Sequence, residues 1–180
     1  MDFQLQKVGL LGGSFDPPHF GHFDLARLAL EQKKIDHVWV IPCFIHPFGK
    51  QILSFEHRFA MCQLAFQSLG DRVQILKLEK ELGGISYTLR TLEALQKKFL
   101  QHQFFFIAGE DTVKNLSQWK DGSALQKKAS WLIFPRGETS PVRNVSATAI
   151  RKALEARAGL EEWLPKNVIA YIEEHRLYGV

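Results

Sequence analysis

Two histidines stand three residues apart behind a glycine-rich turn, in the stretch GLLGGSFDPPHFGH at positions 9–22. At i and i+3, His19 and His22 fall on one face of a helix's first turn. There, free backbone N–H groups and the helix dipole already favour negative charge. Two imidazoles add up to four further N–H donors. Gly12 and Gly13 remove Cβ atoms where a backbone would approach a phosphate closely, and Ser14 adds a hydroxyl donor. A single histidine is more often a capping or core residue, but a pair behind a glycine turn reverses that preference. The chemistry expected is polyanion binding. It is not the dinucleotide fingerprint, whose third glycine is missing, nor a P-loop, because no Gly-Lys-Ser/Thr follows.

A second candidate anion site lies in NVSATAIRKALEA. Ser146 suits a helix N-cap, Thr148 falls in the first turn, and Arg151 sits one turn further on, where its fork can reach phosphate oxygens. An ordinary capped amphipathic helix with a solvated Arg151 fits the segment equally well. Together, two helix N-termini, one with paired histidines and one with an arginine, suggest a triphosphate held from two sides.

The elements that must position these residues alternate between short apolar runs and longer amphipathic ones, the pattern of a parallel sheet with helices on both faces. Strands are expected at Val8–Leu11, His37–Pro42, Val73–Leu76, Gln103–Ala108 and Trp131–Pro135. Helices are expected at His22–Gln32, Phe55–Leu69, Thr88–Phe99 and, more broken, Val113–Lys128. Phe55, Phe59, Cys62, Ala65, Phe66 and Leu69 recur at helical spacing between Ser54 as cap and Gly70 as stop. A helix from about Ser146 to Arg157 and a last one from Pro165 to about His175 follow. The fold class read from this pattern is doubly wound α/β with C-terminal helices at about 146–180. In such sheets ligands bind where loops leave the carboxyl ends of strands, which is where the glycine turn lies.

Composition sets the remaining bounds. With 180 residues and 46% hydrophobic composition, the chain is expected to form one domain over 1–180. Its 23 basic and 19 acidic residues are spread along the sequence without a basic block long enough to suggest a nucleic-acid tail; charge alone suits a phosphorylated small substrate as well as a nucleic acid, and the partner expected is the small molecule, with no nucleic acid. Cys43 and Cys62 have no metal-ligand spacing and read as free thiols of a reducing compartment. The opening MDFQLQKV has no basic n-region, and no apolar run approaches a membrane span, so a cytoplasmic protein is expected.

These residues resemble a known family. GGSFDPPHFGH and SATAIR are similar to the two signatures of the nucleotidyltransferase superfamily, whose fold is Rossmann-like. ISYTLRTLEAL resembles the Ser-Tyr-Thr segment of bacterial nicotinate-nucleotide adenylyltransferases, AGEDTVKNLSQW their Gly-x-Asp segment with its downstream Trp, and LPKNVIAYIEEHRLYG their last helix. The likeness runs in register from residue 7 to 179. Departures are Ser14 for a usual Thr, Arg90 for a common Asp, Ala147 for a common second Ser, and HPFGK, which keeps Lys50 without a histidine directly before it.

The resemblance implies transfer of AMP from ATP to nicotinate mononucleotide, giving deamido-NAD and pyrophosphate. It implies His19, His22 and Arg151 as catalytic residues. ATP would meet Gly12, Gly13, Ser14, Phe15, His19, His22, Gly109, Asp111, Ser146, Thr148 and Arg151. The mononucleotide would meet Lys50, Ser86, Tyr87, Thr88, Asp111 and Trp119, with Trp119 stacking on the pyridine ring, the backbone at Tyr87 and Thr88 taking its carboxylate, and Asp111 accepting ribose hydroxyls. Mg²⁺ would be held by ATP phosphates and water, with no dedicated protein ligands. Nicotinamide mononucleotide or phosphopantetheine as acceptor, and a nucleotide sensor without chemistry, are the alternatives. A homo-oligomer is left open.

Overall fold

The computed structural model describes residues 5–32, 34–137, 139–156 and 159–180. Among them five strands form one parallel sheet: β1 (Gln6–Gly13), β2 (His37–Pro42), β3 (Val73–Ile75), β4 (His102–Gly109) and β5 (Ser130–Phe134), in the order β3-β2-β1-β4-β5. The order reverses at β1. Chain connections therefore leave in opposite directions from β1 and β4 and open a crevice at their carboxyl ends.

Among the described residues eight α-helices cover the two faces: α1 (Phe20–Glu31), α2 (Phe55–Phe66), α3 (Leu78–Leu82), α4 (Thr88–Lys98), α5 (Glu110–Lys114), α6 (Gly122–Lys128), α7 (Ala147–Glu155) and α8 (Lys166–Glu174). Alternation along β1 divides the core. Leu11 joins Leu25 and Ala26 of α1, Met61 of α2, Ile150 of α7 and Ile172 of α8 on one face. Val8 and Leu10 join Leu78 of α3, Leu92 and Leu95 of α4 and Leu125 of α6 on the other. Between them Gly9 leaves the room that Ile107 and Ile35 fill, since a Cβ there would sit 2.6 Å from both side chains.

All five expected strands form within about two residues of their expected ends, and the helices differ in instructive ways. The first helix starts at Phe20 rather than His22, which makes His19 its N-cap. The second ends at Phe66 and tightens into a 3-10 turn over Gln67–Arg72, because Gly70 takes φ +67°. Val113–Lys128 resolves into α5, a 3-10 turn at Leu116–Gln118, and α6. The break falls at left-handed Asp121 and at Gly122, where a Cβ would lie 1.9 Å from the Leu116 carbonyl oxygen. Helix α3 has no counterpart in the periodicity reading, since five residues are too few to show a helical repeat. Pro165 is the N-cap of α8 and His175 its C-cap. Ser146 caps α7 through its side chain, which accepts from the Ala149 N–H; the expected end at Arg157 lies outside the described residues.

Periodicity also assigned α2 a purely apolar inner stripe, yet Arg58 of that helix is only 1% exposed. Its Nη1 donates to the Ser14 carbonyl at 2.7 Å, its Nε to Leu53 at 2.8 Å, and its Nη2 to Cys43 at 2.8 Å. Replacing it with methionine leaves three carbonyl oxygens without their donor, each at a cost of about 1–3 kcal/mol. Arg58→Met is therefore expected to destabilise the fold by roughly 3 kcal/mol or more, read as a lower denaturant midpoint at unchanged slope.

Candidate active site

The β1–α1 loop begins at the switch point. Phe15 adopts φ +50°, rare for a bulky residue, and its ring is buried 4.7 Å from the His22 ring and edge-on to Phe66. That left-handed step sends the ring into the core, while Gly12, Gly13 and Ser14 line a cavity of about 420 Å³. No atom lies within 4 Å of where a Gly12 Cβ would be. Open space thus covers the backbone, as a phosphate cradle requires.

His19 and His22 stack with ring centroids 3.8 Å apart. The His19 backbone N–H donates to His22 Nδ1 at 3.3 Å, so the proton of a neutral His22 belongs on Nε2. His22 lines the cavity; His19, 4% exposed, lies behind it with Nδ1 unpartnered. Burial, then the Arg136 guanidinium, pushes the His19 pKa down to about 3. Burial, His19 and Arg136 together hold His22 well below 6.5. This corrects the expected donor count. Two neutral imidazoles supply one N–H each rather than four between them.

Two cationic side chains that sequence reading missed line the cavity, Lys120 and Arg136, the latter two residues past β5. The Arg136 Nε lies 3.3 Å from Asp111 Oδ1 and its Nη1 donates to the Arg143 carbonyl at 3.2 Å. An arginine just beyond a strand's carboxyl end, in FPRG, was the available signal. Gly109 serves this pair, since a Cβ there would sit 2.4 Å from Asp111 Oδ1 and 2.7 Å from Arg136 Nε. Asp111 itself is exposed and outside the cavity lining, joined to it through Arg136.

The second anion motif approaches through buried Asp24 of α1. Asp24 Oδ2 accepts from the Arg143 N–H at 3.0 Å, and Gly21 lets that loop come close, its absent Cβ being 3.0 Å from the Arg143 oxygen. Helix α7 follows, with Ser146 and Thr148 exposed. Arg151 does not line the cavity; its Nη1 donates to the Asp16 carbonyl at 2.6 Å.

On the opposite wall, the Phe44 N–H donates to Ser86 Oγ at 2.8 Å, the Ser86 N–H to the Ile45 oxygen at 3.0 Å, and Ile45 and Ile85 form a β-bridge. These bonds bring Lys50, Ser86, Tyr87, Thr88 and Trp119 into one wall together with His46 and Lys120. Sequence reading found no histidine directly before Lys50; His46, four residues earlier, reaches the same wall. Ser86 is spent largely on joining two loops, and Tyr87 is the N-cap of α4, whose first amides face no side-chain cap. Trp119 lines the cavity and also packs on the α4 side of the core.

The sequence model of the Cytidylyltransferase-like family matches residues 10–153. A Myxococcus xanthus protein named "Probable nicotinate-nucleotide adenylyltransferase" is 34% identical over 97% of this chain and 95% of its own. The chain belongs to the nicotinate-nucleotide adenylyltransferase family. A relative of the same name from Halalkalibacterium halodurans is 35% identical over 97% of this chain and 92% of its own. Among solved structures, Plasmodium falciparum nicotinic acid mononucleotide adenylyltransferase complexed with NaAD superposes with a TM-score of 0.81 at 19% identity, covering 96% and 97% of the two chains. That likeness places the family's fold on this sheet order.

Buried neutral histidines have a measurable consequence. Their folded-state pKa lies below the ordinary 6.5, so below pH 6.5 the unfolded chain binds more protons. Stability that is full above 6.5 is lost as pH falls toward the folded value. The His19 ring resonances are therefore expected not to titrate between about pH 8 and pH 5, and those of His22 to titrate only below its ordinary 6.5, and His19→Asn is expected to lose less stability over that interval than the wild type.

Proposed function

We propose that this chain transfers AMP from ATP to nicotinate mononucleotide, releasing deamido-NAD and pyrophosphate. The observation that carries the reading is one cavity joining a bare glycine turn with a paired-histidine helix start to a wall that holds Lys50, the α4 N-terminus and Trp119. A phosphate oxygen of the mononucleotide attacks the α-phosphorus of ATP. One oxygen–phosphorus bond forms, the bond to the β-phosphate oxygen breaks, and pyrophosphate leaves with the electron pair. A phosphate monoester with second pKa near 6 is mostly ionised at neutral pH, so no general base is needed. Catalysis is then positioning and electrostatic stabilisation.

In this reading Gly12, Gly13 and Ser14 cradle the phosphates, with the backbone at Phe15 completing the turn. His22 donates from Nε2 to the oxygen that gains charge, and His19 backs it. Arg136 supplies the fixed positive field. Arg151, with the Ser146 and Thr148 helix end, takes the β- and γ-phosphates, and Gly109 leaves room for Asp111, which accepts from ribose. Lys50 meets the mononucleotide phosphate, Ser86 holds the wall, the amides near Tyr87 and Thr88 take the pyridine carboxylate, and Trp119 stacks on the ring.

Among the described residues no group of three or more His, Cys, Asp or Glu gathers to hold a cation, and the donors at the loop are N–H groups suited to anions. Mg²⁺ fits as an ion held by the triphosphate and water. When bound it neutralises charge on the departing pyrophosphate. Residues 146–180 belong in this reading to the same domain, since Ile150, Leu154, Val168 and Ile172 share one core with Leu11 and Val38. No described helix is long and apolar enough to cross a membrane, and a cytoplasmic place suits the two substrates.

Pyrophosphate release, measured with ATP, Mg²⁺ and each of nicotinate mononucleotide, nicotinamide mononucleotide and phosphopantetheine, is expected to favour the first; preference for another acceptor overturns the assignment of the Tyr87 wall. His22→Ala is expected to lose about a hundredfold or more in turnover while remaining folded. Trp119→Ala is expected to raise the KM for the mononucleotide about threefold or more, and an unchanged KM would remove the stacking role.

A further inference from the structure

After α8 the chain does something costly. Arg176 and Tyr178 both adopt left-handed backbone, at φ +50° and +61°. Neither is glycine, and such residues carry on the order of 1–3 kcal/mol of strain each, which persists only where surrounding contacts over-determine it. Here the contacts are Leu177, 7% exposed in the core, and the Tyr178 hydroxyl, which donates to Asp16 Oδ1 at 2.8 Å. Asp16 lies 162 residues away in sequence and is 3% exposed.

Asp16 joins three parts of the chain. Its Oδ1 also accepts from the Leu53 N–H at 3.3 Å, its backbone oxygen accepts from Arg151 Nη1 at 2.6 Å, and its Oδ2 lies 3.7 Å from the same Nη1. Arg151's one other hydrogen bond among the described residues is from Nη2 to Thr148 Oγ1, at 3.4 Å. We infer that Tyr178 is a positioning residue for Arg151, acting through Asp16, so that the end of the chain prepares the arginine that meets the triphosphate.

The physical argument turns on how a carboxylate divides its lone pairs. An unrestrained Asp beside an Arg forms a two-bond fork that occupies the guanidinium. With Oδ1 taken by the Tyr178 hydroxyl and the Leu53 amide, Asp16 meets Arg151 only at Oδ2 and at a longer distance. The guanidinium is anchored by the backbone oxygen, and its remaining N–H groups stay available to an anion. Burial and the Asp16 charge push the Tyr178 phenol above its usual range, so it remains a donor throughout the working pH range. A flexible arginine held in place before binding loses less conformational freedom when the ligand arrives.

This inference rests on Arg151 contacting ATP as proposed above, and the experiment separates the two. Tyr178→Phe keeps the ring and removes the hydroxyl. It is expected to raise the KM for ATP and lower kcat/KM for ATP about tenfold, the scale of one hydrogen bond to a charged group. The KM for the mononucleotide should stay within about twofold. In an Arg151→Ala background the same change should have almost no further effect, which a merely structural role would not produce. Asp16→Asn, giving the same ATP-selective loss, serves as second variant should Tyr178→Phe fail to fold. An unchanged KM for ATP in the folded variants, or an undiminished loss in the Arg151→Ala background, overturns the inference. If the wild type releases no pyrophosphate with any acceptor, the functional reading fails, and calorimetric Mg·ATP affinities of the same variants still decide the role of Tyr178.

Discussion

A buried guanidinium holds the site together. Arg58 is cut off from water, so its donors must find acceptors inside the protein, and they find them where the chain departs from regular structure: Ser14 after β1, Cys43 after β2 and Leu53 before α2. Desolvating a charge is costly, and charge-assisted bonds to backbone oxygens offset it only when all are made together. The glycine turn and the opposite wall are thereby tied to one rigid cation on a core helix. Asp16 repeats the arrangement with the sign reversed, tying the loop to α7 and to the end of the chain.

The electrostatics follow from the same burial. The paired histidines look like a source of positive charge, yet desolvation and Arg136 keep both neutral. The cationic side chains in the wall are instead Arg136, Lys50 and Lys120. The imidazoles contribute direction rather than charge. One tautomer, set by the His19 amide, leaves His22 with a single donor to offer.

Much of this was legible locally. The strands announced themselves as short apolar runs between polar helices, and the glycine turn, the paired histidines and the Ser146 cap are contiguous motifs whose meaning lies in neighbouring residues. What escaped lay in separations that no local pattern spans. Arg58 sits in a helix whose periodicity reads as apolar. Arg136 is an isolated arginine in a loop until β5 is placed beside β4. His46 becomes a partner of Lys50 only once the Ile45–Ile85 bridge closes the wall, and Asp16 meets Tyr178 only when the last turn folds back onto the first loop.

The sequence by itself determined the alternation of strands and helices, the place of the glycine turn at the carboxyl end of β1 and the family to which the chain belongs, because side-chain period, backbone freedom and contiguous motifs are local properties. The tertiary structure alone decided which groups carry charge and which donors remain free. Protonation and hydrogen-bond partnership depend on burial and on neighbours distant in the chain, and these exist only after the sheet has brought its carboxyl ends together.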